Sequence, residues 1–406
     1  MRWTPRRGAV MAASIAAARV AFGYLFGHLV VAQMGYTPFY APYKTASRSI
    51  WALLFDRWDS AYYLAISTTS YPANRPYWAP FFPGYPLLVR LFNLLTGHIF
   101  QLAAAAEIVS GATFIASSAV MYLAVRRFKD HRFATYTILF YVLYPTSLFF
   151  FSPYPESLVV LEISLVLLLL DGKHFVWASL VAGYASATSL LALAATTAVV
   201  VVMLINRRPL WRVLVASVTA TSGLLGYMYF LYQRFGNPIM FVYAQKHWSR
   251  SANFPWWGVF ENFFAFSQLG VNSPGNPTRT NIDVVWMLDD AAALVALILF
   301  VFVAYKLYLL AKRRAFVTSE TLRLIPWGIV FVIAVLIPVS SSIYPYGRAM
   351  YSTEAEARLL SVCVPLYPVA IAFFKRLRIP VPLILFASSV GMVGAQIMFN
   401  RGFWLT

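Results

Sequence analysis

Charge is what this chain has least of. Only 11% of its 406 residues are Asp, Glu, Lys or Arg, and just 14 of them are acidic. Soluble domains carry roughly a quarter of their residues as charged groups, so a solvated globular fold is excluded. Cysteine is represented by Cys363 alone, inside an apolar run, which leaves no disulfide framework and no cysteine-based metal site. No glycine-rich phosphate loop opens a helix after a strand, so nothing points to a nucleotide-binding domain. Sequence repeats are lacking too, as is any composition break that would mark a separate soluble domain. The chain therefore reads as one domain over 1–406.

What is abundant is apolar surface. Hydrophobic residues make up 60% of the chain and its mean hydropathy is +0.68, so the expected fold is an all-α, polytopic transmembrane bundle. The formal charge of +18, from 32 Lys+Arg against 14 Asp+Glu, falls in short clusters between apolar runs. That pattern fits cytoplasmic membrane loops rather than a nucleic-acid surface. Apolar runs predict spans at roughly 9–34, 101–125, 133–151, 157–171, 175–205, 211–233, 284–310, 324–343, 359–374 and 379–398. The first is too long for a signal-peptide core and is expected to be retained. "RRFKDHR" (126–132), "NRRPLWR" (206–212), "AKRR" (311–314) and "KRLR" (375–378) then mark the cytoplasmic side with the N-terminus. This requires 175–205 to enter and return on one side, too few residues for two full spans at about 1.5 Å per residue. Two short or re-entrant helices broken near "GYASATS" (183–189) are expected, giving about eleven segments.

The unusual residues then gather on the non-cytoplasmic face of the cell membrane, in outer loops at about 35–100, 236–283 and 344–358. The first holds "FDRWDSAYYLAI" (55–66), with Asp56 and Asp59 three residues apart. If 47–66 is one helix, both carboxylates and Tyr63 share a face. A carboxylate partly desolvated at a bilayer surface suits a general base. The spacing fits equally well a pair of solvated charges on an interfacial helix, with Arg57 as partner. Glu156 stands at the start of a predicted helix and reads as a cap near the positive pole. Asp289 and Asp290 lie at a span end, where a carboxylate costs little.

The wording around the acids narrows this. "RWDSAYYLAISTTSY" followed by "FFPGYPLLVRL" resembles the first luminal loop of the PIG-V-like mannosyltransferases, members of the C-type (GT-C) glycosyltransferase superfamily. "YPTSLFFFSPYPESLVVL" (144–161), "AQKHWSR…PWW" (244–257), "ARLLSVCVPLYPVAIAF" (357–373) and the C-terminal "AQIMFNRGFWLT" resemble later elements of that family in the same order. A short chain without luminal insertions is similar to the prokaryotic type.

The resemblance implies a GT-C fold and transfer of mannose from a polyprenyl-phosphate-mannose donor to a lipid or glycan acceptor. Membrane lipids are the surroundings and nucleic acid is not a partner. It implies Asp59, the acid of the W-D element, as base, with Asp56 orienting it or binding a sugar hydroxyl. The leaving phosphate would meet His247, Arg250 and Arg358, since a guanidinium grips phosphate bidentately. Trp58, Tyr63, Tyr85, Gln245 and Trp248 complete the expected donor and acceptor surface. No cofactor is expected, and with no third acid near Asp56 and Asp59 a hard cation is not favoured. A GT-C transferase with another lipid-phosphate sugar, or a transporter of lipid-linked substrates, are the alternatives. A transporter would show inverted repeats and midplane charges, which the chain does not.

Overall fold

The computed structural model describes residues 4–35, 54–55, 57–262, 279–312, 319–343, 353 and 355–402. The apolar runs become helices: α1 (Pro5–Met34), α2 (Ser60–Thr69), α3 (Gly84–Leu95), α4 (Leu102–Arg126), α5 (His131–Val142), α6 (Glu156–Asp171), α7 (Phe175–Thr188), α8 (Leu193–Ile205), α9 (Leu210–Phe235), α10 (Arg279–Lys312), α11 (Ser319–Val339), α12 (Glu356–Ser361), α13 (Leu366–Arg376) and α14 (Val381–Asn400). Strands β1 (Arg250–Ala252) and β2 (Ser341–Ile343) form an antiparallel pair with Ser251 opposite Ser342. Among the described residues, six helices are long and apolar enough to cross a membrane: α1, α4, α9, α14 and the stretches Met287–Leu310 of α10 and Leu322–Val339 of α11. The protein is therefore a nearly all-helical, multi-pass membrane protein.

Local chemistry explains the helix limits. The Thr4 hydroxyl accepts from the Arg7 amide, and Pro5 sits where its missing N–H costs nothing. Gly8, Ala12, Ala16, Gly23 and Gly27 lie on the buried face of α1 together with Arg19 and Val30, and the small side chains let neighbours approach closely. A Cβ on Gly23 would stand 2.5 Å from the Phe151 ring. The α7–α9 crossing is tighter still: a Cβ on Gly223 would meet the Gly183 carbonyl at 2.3 Å.

Within 175–205, α7 ends at Thr188, Ser189 is extended, and a 3-10 turn at Leu190–Ala192 leads into α8. The Arg208 guanidinium stands 4.8 Å over the Phe175 ring, so the pair returns to the end of the bundle where it began. Two predicted spans differ. The helix of 133–151 stops at Val142, because Pro145 disfavours helical backbone at Tyr144. The run 359–374 divides into α12 and α13, the second opening after Pro365. Helix α6 carries Glu156 at one end and Asp171 at the other. Asp171 lies between Arg127 at 3.7 Å and Arg323 at 3.6 Å, which defines a basic end. Glu156 lies at the opposite end, with the first loop.

Candidate active site

The site is built on a turn rather than on the continuous helix expected over 47–66. Trp58 adopts φ +58, left-handed backbone that a bulky residue takes only when its surroundings impose it. The surroundings are visible. Arg57 donates from Nη1 to the Phe399 carbonyl at 2.8 Å and from Nη2 to the Asn400 carbonyl at 3.1 Å. A cation thus sits on the negative C-terminal pole of α14. The Arg57 carbonyl accepts from the Ser60 hydroxyl at 2.8 Å and from the Tyr154 hydroxyl at 2.7 Å. The chain is pinned on both sides of Trp58, and α2 begins only at Ser60, so the expected continuous helix is interrupted at 57–59. Asp56 itself lies outside the described residues.

Asp59 precedes the first turn of α2, where a carboxylate ordinarily accepts from exposed amides. Here it makes no such cap. Instead Arg358 donates from Nη1 to Asp59 Oδ2 at 2.9 Å, and Arg358 Nε lies 3.4 Å from Glu156 Oε1. Phe149 and Tyr154 line the guanidinium, each ring centroid 5.4 Å away. Burial opposes the Arg358 charge, but the carboxylates of Asp59 and Glu156 outweigh it and hold the guanidinium protonated. For Glu156, burial dominates over the pull of Arg358, and its carboxyl is pushed up to about 7. Asp59 keeps the more open position, its side chain 21% exposed against 7% for Glu156.

Helix α12 presents Arg358 because its start is held from two sides. Asp289 accepts from the Ala357 amide at 2.8 Å, and the Thr146 hydroxyl donates to the Ala357 carbonyl at 3.2 Å. Asp290 accepts from Asn262 at 2.9 Å and from Thr353 at 2.8 Å, closing the layer beneath. The two acids set aside as helix-end charges therefore support the site. Arg250 stands apart from Arg358: it donates to the Ser341 hydroxyl at 3.1 Å, and its charge bears on buried Glu356.

The remaining expected residues form a wall. Tyr63 packs edge-on against Phe81, Tyr85 and Tyr154. Tyr85 is fully buried, with its hydroxyl 3.0 Å from the Ala106 carbonyl and 2.8 Å from Ser110, so it supports the wall from behind. Gln245, His247 and Trp248 lie on a 3-10 turn, Ala244–Trp248. His247 stacks on Tyr77 at 4.2 Å, and Trp248 donates to the Tyr77 carbonyl at 3.0 Å while meeting Tyr62 edge-on at 5.4 Å. The structure thus joins Asp59, Arg358 and Tyr63 with Glu156, and sets His247 and Trp248 against the same first-loop aromatics. Glu156 is the member missed, because an acid after Pro155 at a helix start has the signature of a cap. Its place in "SPYPES", one of the segments resembling the family, was the available signal.

A multi-pass helical membrane protein with a carboxylate–guanidinium–carboxylate cluster at one end is the class that fold and site define. Residues 37–238, about half the chain, match the family described as mannosyltransferase (PIG-V), and the chain belongs to that family of glycosyltransferases. Among solved structures it is similar to the oligosaccharyltransferase of Archaeoglobus fulgidus, crystallised in complex with zinc and sulfate. The identity is 12% and the TM-score 0.47, with 97% of this chain and 53% of that one covered. The chain thus spans about half the length of that protein. A search of curated proteins returns no match.

Proposed function

We propose that the protein is a GT-C-type transferase that moves mannose from a polyprenyl-phosphate-mannose donor to a hydroxyl of a lipid-linked or glycolipid acceptor, with inversion, on the non-cytoplasmic face of the cell membrane. Membership of the mannosyltransferase family supports the sugar and the reaction class. The observation that carries the assignment of the site is the pairing of Asp59 with Arg358 across the length of the chain, which unites the W-D element with the "ARLL" element. In the proposed reaction the acceptor oxygen bonds to the sugar C1, its proton passes to Asp59, and the C1–O bond breaks with its electron pair leaving on the phosphate. His247, Arg250 and Arg358 supply positive charge toward that phosphate. Trp58, Tyr63, Gln245 and Trp248 flank the sugar and prenyl chain, and Asp56 assists Asp59. No metal is assigned: Arg358 already stands at Asp59 as its cation. The test is purified protein with radiolabelled polyprenyl-phosphate-mannose and total lipid extract, followed by identification of the labelled product. Labelled mannolipid is expected, and its absence with this donor alongside transfer from another lipid-phosphate sugar would replace the donor.

A further inference from the structure

The Glu156 carboxyl has no task in that scheme, yet it is built into the cluster. It is 6% exposed, and its Oε2 has no hydrogen-bond partner among the described residues. The edge of Arg358 that faces it, at 3.4 Å, belongs to the same guanidinium that Asp59 holds at 2.9 Å. Among the described residues, two carboxylates therefore face one cation, with the phenols of Tyr63 on α2 and Tyr154 in the turn before α6 as the titratable neighbours. Where water is largely excluded, one positive charge does not satisfy two negative ones, and charge on either acid weakens the hold on the other.

We infer that Glu156 is a positioning residue: it competes with Asp59 for Arg358, and its ionisation loosens the guanidinium from Asp59 so that Asp59 accepts the proton of the acceptor hydroxyl. The role of Asp59 rests on the transferase reading, whereas the competition rests on the geometry alone. With Glu156 protonated, Arg358 is left to Asp59 and occupies its carboxylate. With Glu156 ionised, the guanidinium is shared and the Asp59 carboxylate is released to meet the acceptor hydroxyl. Glu156 exchanges no atom with substrate, since the proton goes to Asp59 and the leaving electron pair to the phosphate. Its carboxyl, raised by burial to about 7 against the pull of Arg358, ionises in the range where such sharing switches.

The competition is read without activity by pH-difference infrared spectroscopy of the full-length protein in lipid nanodiscs, following the C=O stretch of protonated carboxyls. A band titrating near neutrality is expected, and it disappears in Glu156→Gln. In Asp59→Asn its midpoint falls by about one unit, because Arg358 is then left to Glu156. An unmoved midpoint in Asp59→Asn overturns the inference. In turnover, wild-type kcat rises with pH through the same ionisation, while Glu156→Gln lowers kcat roughly ten-fold with donor KM unchanged and abolishes that limb. A wild-type limb in Glu156→Gln also overturns it. Should that variant not fold, Glu156→Asp decides the point: the limb must move with the shortened carboxyl, and an unmoved limb refutes the inference. If wild-type protein transfers no mannose, the transferase reading fails while the infrared result still decides the competition.

Discussion

Asp59 and Arg358 make contact across 299 positions of sequence, and each has a distinct test. Asn matches Asp in shape but takes up no proton, so Asp59→Asn is expected to keep fold and donor binding while losing roughly 10²–10⁴-fold in turnover, measured as mannolipid formed per minute. Near-normal turnover in a well-folded preparation would remove Asp59 from the chemistry. Arg358→Ala should do more than weaken phosphate binding, because it strands two carboxylates. A loss of about 3 kcal/mol in stability is expected, read as a lower unfolding midpoint in detergent, and Asp59→Asn in the same background should recover part of it. Arg250→Ala leaves that trio intact, and if Arg250 meets the donor phosphate it weakens donor use by about 2 kcal/mol with the fold preserved. Unchanged donor kinetics would restrict Arg250 to its hydrogen bond with Ser341 and its charge on Glu356. Asp59 was legible in the sequence because a resembled motif marked it. The trio was not: nothing in "SPYPES" says that Glu156 turns toward an arginine on a six-residue helix more than two hundred residues away. The left-handed backbone at Trp58 was hidden for a related reason, since no glycine announces it and its causes lie at Tyr154 and the end of α14.

Among the helices, the sequence was most informative where length and apolarity decide the outcome. The runs behind α1, α4, α9 and α14 are long enough to form spans whatever they pack against, and the shortfall of residues in 175–205 marked a broken pair. Proline misled in two places, at Pro145 and Pro365, because an apolar run looks the same whether the helix within it is whole or divided. The α7–α9 crossing shows what composition does not: Gly183 and Gly223 sit where backbones touch, and only the fold reveals which glycines do so. Gly223→Ala must push a carbonyl that a Cβ would meet at 2.3 Å, and since backbone cannot turn aside as a side chain does, the helices must part. Overpacking of this kind costs roughly 1–3 kcal/mol. Gly226→Ala, at a position with open space around it on the same helix, serves as the control. Thermal unfolding in detergent should separate the two, and equal midpoints would show that the crossing yields without penalty.

For the molecule as a whole, two sets of contacts make the two ends of the bundle different. Arg127, Asp171 and Arg323 meet at one end. Asp59, Glu156 and Arg358 meet at the other, and α6 joins the two ends. Basic loops are retained on the cytoplasmic side during insertion, so the end with Arg127 should face inward and the candidate site outward, where the proposed lipid-linked donor would be met. A cysteine-labelling scan suits this chain, because its one native thiol, Cys363, is fully buried and should give little background. Single cysteines at Asn237 and Phe254, which lie in the segment that carries Trp248 and Arg250, should react with a membrane-impermeant maleimide added to intact cells. Cysteines at Lys129 and Lys312 should react only after the membrane is opened. The reverse pattern would place Asp59 and Arg358 in the cytoplasm, beyond reach of an outward-facing donor, and would overturn the proposed site together with the orientation.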